Sequence, residues 1–371
     1  MEPIQSQTFV TVCGKRFHYI WLRDNCPCAE CQDSNRFQRI HALDNVTLLV
    51  QPLSIEEKDG YLKIIWNEEP IHQSNFSVSW LLTHSYDPQP ECINNHTILW
   101  DKAYLDQNPP KQYDVTTDNS KEWMNELFKL GFIHLKSQNF SDFKKFLLSI
   151  GPIYRTEDRE IADVKPKEIS RDISASIQGY ALPPHVDGSY RYDGRLVQFI
   201  YCVENNAWGG ESIVVDGFRV AEDFRENNPN YFDILSSTPV NFQQFDRISE
   251  YFFLHTAPLI ELDKNGKIIN ICFSHKTLNV SLPFEKMESF YEAYINFFDY
   301  LKKPVYQHRF RLQSGDCYMV ENFRVLHGRK KFDATIGERH LKVGYMNWHF
   351  FHGKHLFYKA KSLYSNGVID E

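Results

Sequence analysis

Apolar and polar positions alternate in short runs over the first part of the chain, as they do in β-strands. Four such runs predict strands at residues 9–12, 15–21, 46–50 and 61–66. Asp59-Gly60 is a strong turn pair immediately ahead of the last strand. We therefore predict a small β-rich domain over residues 1–86, followed at 87–112 by a linker rich in Pro, Asn and Asp.

Near residue 120 the spacing of the apolar residues changes to the spacing typical of a helix. Ser120 starts a run with apolar residues at helical spacing, and Gly131 is placed to end it. Asn119 and Glu122 have the spacing of a capping box at its start. Two more elements follow, a strand at 132–135 and a second helix at about 143–150.

Short apolar runs return after residue 180 and continue almost to the end. They predict strands at 197–203, 212–215, 268–273, 307–312, 317–320 and 343–348, interrupted by one long amphipathic helix at about 284–301. Many short strands joined by glycine-containing turns are typical of a barrel or jelly roll. The fold class is therefore mainly β with flanking helices, and the second, larger domain covers residues 113–371.

Composition narrows the function. The chain has 371 residues and a formal net charge of -7, without a Lys/Arg block, which disfavours a nucleic-acid partner. Aromatic residues make up 15% of the chain, which suits a β-rich core. No apolar run is long enough to span a membrane, and the N-terminus lacks the pattern of a signal peptide. We expect a cytoplasmic protein that acts on a small molecule and does not bind membranes.

One motif has the chemistry of a metal site. His185 and Asp187 are two residues apart, so in a strand their side chains leave the same face and can meet one ion. His327 is the best third ligand. Two histidines and one carboxylate form the facial triad of non-haem iron(II) oxygenases, which leaves three coordination positions open. Twelve residues later, Arg339 is placed to pair bidentately with a carboxylate.

These motifs resemble those of a known family. His185-x-Asp187 is followed in order by the segments Gly209-Gly210-Glu211-Ser212, Val215-Asp216-Gly217-Phe218 and Leu326-His327-Gly328-Arg329, and then by Arg339. This order is similar to that of the γ-butyrobetaine hydroxylase group, which includes trimethyllysine hydroxylases and belongs to the taurine dioxygenase-like superfamily. The segment from Trp21 to Cys28 is similar to the zinc domain of the same group.

The resemblance implies a double-stranded β-helix, or jelly-roll, catalytic domain. It implies that His185, Asp187 and His327 bind Fe(II), and that Arg339 binds the distal carboxylate of 2-oxoglutarate. Ser212 would hydrogen-bond the same carboxylate, although a solvent-facing strand hydroxyl is the alternative. The reaction would consume O2 and hydroxylate an unactivated C–H bond of a small polar metabolite, such as a γ-butyrobetaine-like compound, an amine or an amino acid. Ascorbate would act as reductant, and a homodimer is expected.

A second metal site is predicted near the N-terminus. Cys26, Cys28 and Cys31 can supply three thiolates to a tetrahedral zinc ion, with free thiols or a disulfide pair as the alternatives. His41 is the nearest fourth ligand in sequence, whereas the resemblance points to His72. Four protein ligands would make this zinc structural.

The substrate-binding residues match the family less well. Betaine-binding members hold a trimethylammonium group in an aromatic cage through cation–π contacts. Tyr345 matches one cage position, but Ser176 stands where a cage tyrosine is expected. Tyr190 would either shape the pocket or simply pack. A different amine, amino acid or polar metabolite therefore fits these positions.

Three alternatives differ from hydroxylation. The same active site could catalyse desaturation or ring formation. A cupin-like binding protein without turnover is opposed by the intact ligand set and Arg339. A zinc-finger nucleic-acid binder is opposed by the acidic net charge.

Overall fold

The computed structural model describes residues 4–5, 7–33, 36, 38–40, 48–87, 97–157, 159–165, 179–191, 194–247, 250–333 and 335–364. The chain forms two compact units. The first comprises residues 1–94 and 359–371, and the second comprises residues 95–358.

The first unit contains two three-stranded antiparallel sheets. The strands are β1 (Ile4–Gln5), β2 (Phe9–Val12), β3 (Lys15–His18), β4 (Pro52–Lys58), β5 (Tyr61–Trp66) and β6 (His72–Ser77), and the helices are α1 (Tyr19–Asp24) and α2 (Val78–Thr83). Phe17, Leu62, Trp66 and Phe76 are fully or almost fully buried in one apolar cluster. This cluster is the core of the first unit.

Two of the strands predicted here have different bounds. The strand expected at 15–21 ends at His18, because the chain turns into α1 at Tyr19. Residues 48–50 are not in a strand, and β4 starts at Pro52 instead; residues 46 and 47 lie outside the described residues. The turn at Asp59-Gly60 is confirmed, with φ of 52° and 80° between the paired strands β4 and β5.

The second unit is rich in strands, with helices at its periphery. The strands are β7 (Gln112–Asp114), β8 (Phe132–Lys136), β9 (Ile153–Tyr154), β10 (Ile161–Val164), β11 (Leu182–His185), β12 (Leu196–Asn205), β13 (Ser212–Asp216), β14 (Val240–Asp246), β15 (Tyr251–Ala257), β16 (Ile260–Leu262), β17 (Ile268–Ile271), β18 (Leu278–Asn279), β19 (His308–Phe310), β20 (Asp316–Glu321), β21 (Val325–Arg329) and β22 (Arg339–Asn347). The helices are α3 (Lys102–Gln107), α4 (Ser120–Leu130), α5 (Phe140–Ile150), α6 (Gly217–Asn227), α7 (Pro229–Ser237) and α8 (Phe284–Lys302), with a 3-10 turn at Pro304–Tyr306. Helix α9 (Trp348–Tyr364) begins in this unit, and its residues from Lys359 onward are assigned to the first unit.

Two sheets of this unit face one another. The larger has seven strands in the order β10-β22-β12-β20-β8-β7, with β9 also paired to β22, and the smaller has the order β11-β21-β13-β19. Ile200 and Val320 of the larger sheet pack in one buried cluster with Val214 and Val325 of the smaller. The prediction of a mainly β fold with helices and a jelly-roll core is confirmed in this arrangement.

The helix predictions are partly confirmed. Helix α4 covers Ser120–Leu130 and ends at Gly131 with a φ of 75°, as expected. The prediction of a capping box is wrong, because the Asn119 side chain does not cap the helix. Its amide nitrogen donates to Thr117 Oγ1 instead, at 2.7 Å. Helices α5 and α8 lie where the sequence predicts them, whereas α1, α2, α3, α6, α7 and α9 were not predicted. No helix in the described parts of the chain is long and apolar enough to cross a membrane.

The described part of the expected linker, residues 97–112, has regular structure. Trp100 is fully buried, and its indole Nε1 donates to the Leu130 carbonyl oxygen at 2.7 Å. Helix α3 follows, capped by the carboxylate of Asp101. Residues 97–112 are therefore packed in the second unit, while the domain limits at 86 and 113 remain a prediction.

Candidate active site

The pairing of two strands brings the two predicted histidines together. Strand β11 is antiparallel to β21, with His185 directly opposite His327. The two imidazole ring centroids are 4.5 Å apart. Asp187 lies two residues beyond His185, just after β11 ends. The local sequence thus sets the spacing of two of these residues, and the sheet supplies the third.

Gly328 allows this close pairing. A Cβ atom at residue 328 would lie 2.6 Å from the Leu182 carbonyl oxygen, which is closer than real Cβ contacts. A side chain at this position would push β11 away from β21. The glycine between His327 and Arg329 is therefore a requirement of the site's geometry.

The three side chains converge on one point. His185 Nε2 lies 3.3 Å from Asp187 Oδ1, and His327 Nε2 lies 3.4 Å from Asp187 Oδ2. The three potential ligand atoms all lie within 4.8 Å of one another. Two imidazole nitrogens and one carboxylate oxygen are a donor set suited to a divalent transition metal, so the cluster fits Fe(II).

Burial and hydrogen bonding prepare these groups for a metal. His185 Nδ1 donates to the Pro183 carbonyl oxygen at 2.9 Å, which leaves Nε2 with the lone pair that a metal needs. Burial, with help from His327, lowers the pKa of His185 to about 4, so this imidazole is neutral. Burial alone would raise the pKa of Asp187, but Lys276 and His327 outweigh it and hold that pKa well below its usual range.

A layer of hydrogen bonds fixes Asp187. Gln198 Nε2 and the Tyr345 hydroxyl donate to Asp187 Oδ2 at 2.8 and 2.9 Å. Asn322 is fully buried and holds the backbone on both sides: it accepts from Asp187 N at 3.1 Å and donates to Asp187 O at 2.7 Å. Tyr345, expected as a cage residue, thus contacts the predicted metal ligand itself. Burial first, and then the Asp187 charge, raises the pKa of Tyr345.

A cavity of about 440 Å³ opens onto the triad. On one side of it, Arg339 and Arg329 are buried, with 4% and 5% of their surface exposed. Their guanidinium carbons lie 5.2 and 4.7 Å from the centre of the Phe332 ring. Burial and the neighbouring Arg339 lower the pKa of Arg329 to about 10. Two adjacent buried cations favour a bound anion.

Arg339 and Ser212 have the chemistry that a carboxylate needs. Arg339 Nε is buried and has no hydrogen-bond partner among the described residues. Ser212 is buried directly opposite Arg329 in the β13–β21 pair and lines the same cavity. An orphaned guanidinium donor and a buried hydroxyl that line the same cavity fit the distal carboxylate of 2-oxoglutarate.

Of the other two residues predicted to contact substrate, one lies at the cavity and one lies outside the described residues. Tyr190 lines the cavity, where its ring lies 5.7 Å from Phe253 and 5.0 Å from the Arg191 guanidinium carbon. Ser176 lies outside the described residues.

The first unit holds the second predicted cluster. Cys26, Cys28, Cys31 and His72 each offer one ligand atom, all within 4.8 Å of one another. His72 Nε2 lies 3.2, 3.7 and 3.5 Å from the three sulfur atoms in that order. His41 lies outside the described residues. Three thiols and one imidazole at these distances fit tetrahedral zinc.

The environment of the cysteines supports a bound cation. Burial raises the pKa of the Cys26 thiol to about 12 and also raises that of Cys31. The cysteines are free rather than paired in a disulfide. Arg23 Nη1 donates to Cys31 Sγ at 3.3 Å and is itself held by Glu68. A metal would be needed to keep buried thiols ionised here.

Sequence reasoning missed several site residues, among them Lys276, which contacts Asp187. Gln198 is a lone polar residue in the apolar run of β12, and this pattern was a usable signal. Asn322 and Arg191 carry no comparable signal, because their roles depend on residues far away along the chain. For Asn322, the partner Asp187 is 135 residues distant.

The comparison with known proteins agrees with this geometry. Residues 101–345 match the profile of the family described as taurine catabolism dioxygenase TauD, TfdA family. The chain belongs to the TauD/TfdA dioxygenase family. Residues 9–82 match a second profile, described as gamma-butyrobetaine hydroxylase-like, N-terminal. This TauD/TfdA member is therefore an oxidoreductase, an iron- and 2-oxoglutarate-dependent dioxygenase.

Individual relatives place the chain more narrowly. Gamma-butyrobetaine dioxygenase of Pseudomonas sp. (strain AK-1) is 30% identical over 347 residues, covering 89% of this chain and 87% of the relative. The Homo sapiens protein of the same name is 28% identical with the same coverage. Trimethyllysine dioxygenase, mitochondrial, of Bos taurus is 25% identical over 85% of this chain and 77% of its own length. The predicted resemblance to this group is confirmed.

Proposed function

We propose that this dioxygenase hydroxylates an unactivated C–H bond of a small polar metabolite, with Fe(II) bound by His185, Asp187 and His327. The observation that carries the proposal is the convergence of both Nε2 atoms on the Asp187 carboxylate, in a cavity that also contains Arg339. When bound, iron and 2-oxoglutarate supply the oxidising chemistry. O2 is consumed, 2-oxoglutarate becomes succinate and CO2, and one oxygen atom enters the substrate.

The protein's own residues orient the reactants. Gln198 and Tyr345 both donate to Asp187 Oδ2 and thereby fix the orientation of the whole carboxylate, including Oδ1. Arg339 would hold the distal carboxylate of 2-oxoglutarate in a bidentate pair, with Ser212 as an additional donor. His185, Ser212 and Arg339 are themselves buried, and the low dielectric constant around them strengthens their electrostatic contacts.

A turnover experiment tests the proposal. The protein would be purified anaerobically, loaded with iron(II), ascorbate and 2-oxoglutarate, and mixed with O2 and a panel of betaines, amines and amino acids. We expect succinate formation that depends on one panel member, with a product heavier by one oxygen atom. A product lighter by two hydrogen atoms would show that the reaction is desaturation or ring closure and not hydroxylation. Iron binding without succinate under any condition would favour the non-catalytic binding protein.

We further propose that Cys26, Cys28, Cys31 and His72 bind a structural zinc ion in an N-terminal domain. The support is the set of short sulfur–nitrogen distances and the free state of the cysteines. With four protein ligands, the ion would have no open position for a substrate. Its role would be to stabilise a unit whose apolar core is small.

We propose that the enzyme works as a cytoplasmic homodimer on a small molecule, without nucleic acid or membrane as partner. The acidic net charge of -7 supports the absence of nucleic acid. Light scattering after size-exclusion chromatography tests the dimer, and a monomeric mass would contradict it.

A further inference from the structure

A group of aromatic rings at the cavity is already occupied by a cation of this chain. The guanidinium carbon of Arg191 lies 6.0 Å from the ring centre of Tyr154, 5.0 Å from that of Tyr190 and 5.4 Å from that of Phe253. Arg191 also forms an ion pair with Glu157. We call Tyr154, Tyr190 and Phe253 the aromatic cluster. Cation–π attraction requires a cation to lie against the ring faces. Because Arg191 already lies there, the aromatic cluster has no room for a cation from the substrate.

A different cation faces the metal ligands. Lys276 Nζ lies 3.4 Å from Asp187 Oδ1, the carboxylate oxygen that also faces His185 Nε2. The Lys276 side chain lines the cavity and is 35% exposed. A substrate whose C–H bond approaches the triad must therefore pass within reach of this ammonium group. The contact with Asp187 is long, so Lys276 is free to exchange it for a better anion.

The charged residues that line the cavity favour an anionic group on the substrate. Among the described residues that line it, five are basic and three are acidic. Arg191 is neutralised by Glu157, and Arg339 and Arg329 flank the position proposed for 2-oxoglutarate. Arg159 also lines the cavity, but among the described basic residues there it is Lys276 whose ammonium contacts the triad, at Asp187. A quaternary ammonium would meet like charge here, whereas a carboxylate would meet its complement.

We infer that the substrate carries a carboxylate bound by Lys276, and that Arg191 excludes quaternary ammonium groups from the aromatic cluster. The inference rests on the proposed function and narrows its substrate class to small carboxylic acids whose nitrogen, if any, is not trimethylated. Lys276 and Arg191 are then the residues that determine specificity.

Three probes of equal chain length separate these features. Gamma-aminobutyrate has a carboxylate and a primary ammonium, γ-butyrobetaine has a carboxylate and a quaternary ammonium, and butyltrimethylammonium has only the quaternary group. Each would be titrated calorimetrically into protein loaded with Mn(II) and 2-oxoglutarate, so that binding is measured without turnover. We expect γ-aminobutyrate to bind more tightly than γ-butyrobetaine, and butyltrimethylammonium not to bind.

Two substitutions assign the roles. Lys276→Gln should weaken γ-aminobutyrate binding by about tenfold or more, the effect of losing one charge-assisted hydrogen bond. It should leave 2-oxoglutarate and Mn(II) binding intact, because removing a cation beside Asp187 does not harm a metal. Arg191→Ala should give measurable binding of butyltrimethylammonium. Matched controls are Lys264→Gln, at an exposed turn, and Arg225→Ala, whose guanidinium stacks on Phe232 at 4.3 Å outside the cavity.

The outcomes are distinct. If the Mn(II)-loaded wild type fails to bind 2-oxoglutarate, the proposed function fails. If 2-oxoglutarate binds, three results overturn the inference: γ-butyrobetaine binds as tightly as γ-aminobutyrate, butyltrimethylammonium binds as tightly as γ-aminobutyrate, or neither carboxylate probe binds. Weaker 2-oxoglutarate binding in Lys276→Gln, with probe binding unchanged, would assign Lys276 to the cosubstrate and also overturn it. The wild-type comparison decides without any variant that might unfold.

Discussion

Gln198 and Tyr345 lie directly opposite one another in the β12–β22 pair, and both donate a hydrogen bond to the same oxygen of Asp187. Their side chains point from neighbouring strands toward a carboxylate on a third strand's end. The larger sheet therefore holds a proposed metal ligand that follows a strand of the smaller sheet. This contact makes the position of the metal site depend on the packing of the two sheets.

Removal of either donor should weaken the metal site. We expect Tyr345→Phe and Gln198→Met each to lower Fe(II) or Mn(II) affinity by about tenfold, because partners of a ligand commonly contribute this much. Anaerobic equilibrium titration measures the effect, and the unfolding temperature shows whether the fold is kept. Tyr291→Phe, on the exposed surface of α8, is the control. Unchanged metal affinity in both variants would show that these hydrogen bonds do not position Asp187.

Arg339 should determine affinity for 2-oxoglutarate. We expect Arg339→Lys to raise the 2-oxoglutarate dissociation constant by roughly tenfold or more, because an ammonium cannot form the bidentate pair. Metal affinity should be unchanged, since Arg339 does not contact the triad. Titration of 2-oxoglutarate into the Mn(II)-loaded protein measures this. Arg309→Lys, at the exposed position of β19, is the control, and equal affinity in both variants would rule out the assignment.

His134, which is half-buried in β8, should make the second unit sensitive to acid. Burial first, and then the neighbouring His308, lowers the pKa of His134 from 6.5 to about 4. The unfolded chain therefore binds a proton below pH 6.5 that the folded chain does not, so stability falls as pH falls. Between pH 8 and pH 5 this residue should cost about 2 kcal/mol of unfolding free energy.

The His134→Phe variant isolates that effect. Its aromatic surroundings, with Phe310 at 4.4 Å, accept a phenyl ring. Urea unfolding at pH 8 and pH 5 should show a smaller acid loss than in the wild type. His349→Phe, at an exposed position of α9, should keep the full loss. An unchanged acid loss in His134→Phe would mean that other groups carry it.

The first unit should depend on zinc. We expect purified protein to contain about one zinc ion per chain, and Cys28→Ser to lose it and lower the unfolding temperature of this unit. Elemental analysis and thermal unfolding measure both. Cys13→Ser changes an exposed cysteine of the same unit and should do neither. Metal-free protein with an unchanged unfolding temperature would contradict the structural role.

The sequence could bring His185 and Asp187 together as proposed ligands, because their spacing is local, whereas His327 comes from a distant strand. His185 and Asp187 share one strand end, and His327 precedes a glycine that its strand pairing requires. The positions of Gln198 and Asn322 could not be derived in the same way. Their contacts with Asp187 arise only when strands far apart along the chain pair and the two sheets pack.

The strands with apolar runs were predicted more reliably than the polar ones. Strand β12 is buried along most of its length and stands out in the sequence. Strand β4 alternates between half-buried and exposed residues. Because it contains two glutamates and few apolar residues, it was not predicted as a strand. Helix α6 starts at a capping Asp216, whose carboxylate accepts from Phe218 N, so its start has a local signal. The stacking of Arg191 in the aromatic cluster has none, because it depends on a side chain from β15.

Metal binding tests the central claim most directly. Anaerobic wild-type protein would be titrated with Fe(II) and then with 2-oxoglutarate, beside Asp187→Ala, His327→Ala and the exposed control His349→Ala. We predict about one tightly bound Fe(II) at the triad in the wild type and the control, with the visible absorption of an iron-chelated 2-oxo acid on adding 2-oxoglutarate. Both triad variants should lose this absorption and bind iron at least about 100-fold more weakly. Equal iron binding and equal absorption in all four proteins would contradict the assignment of the triad.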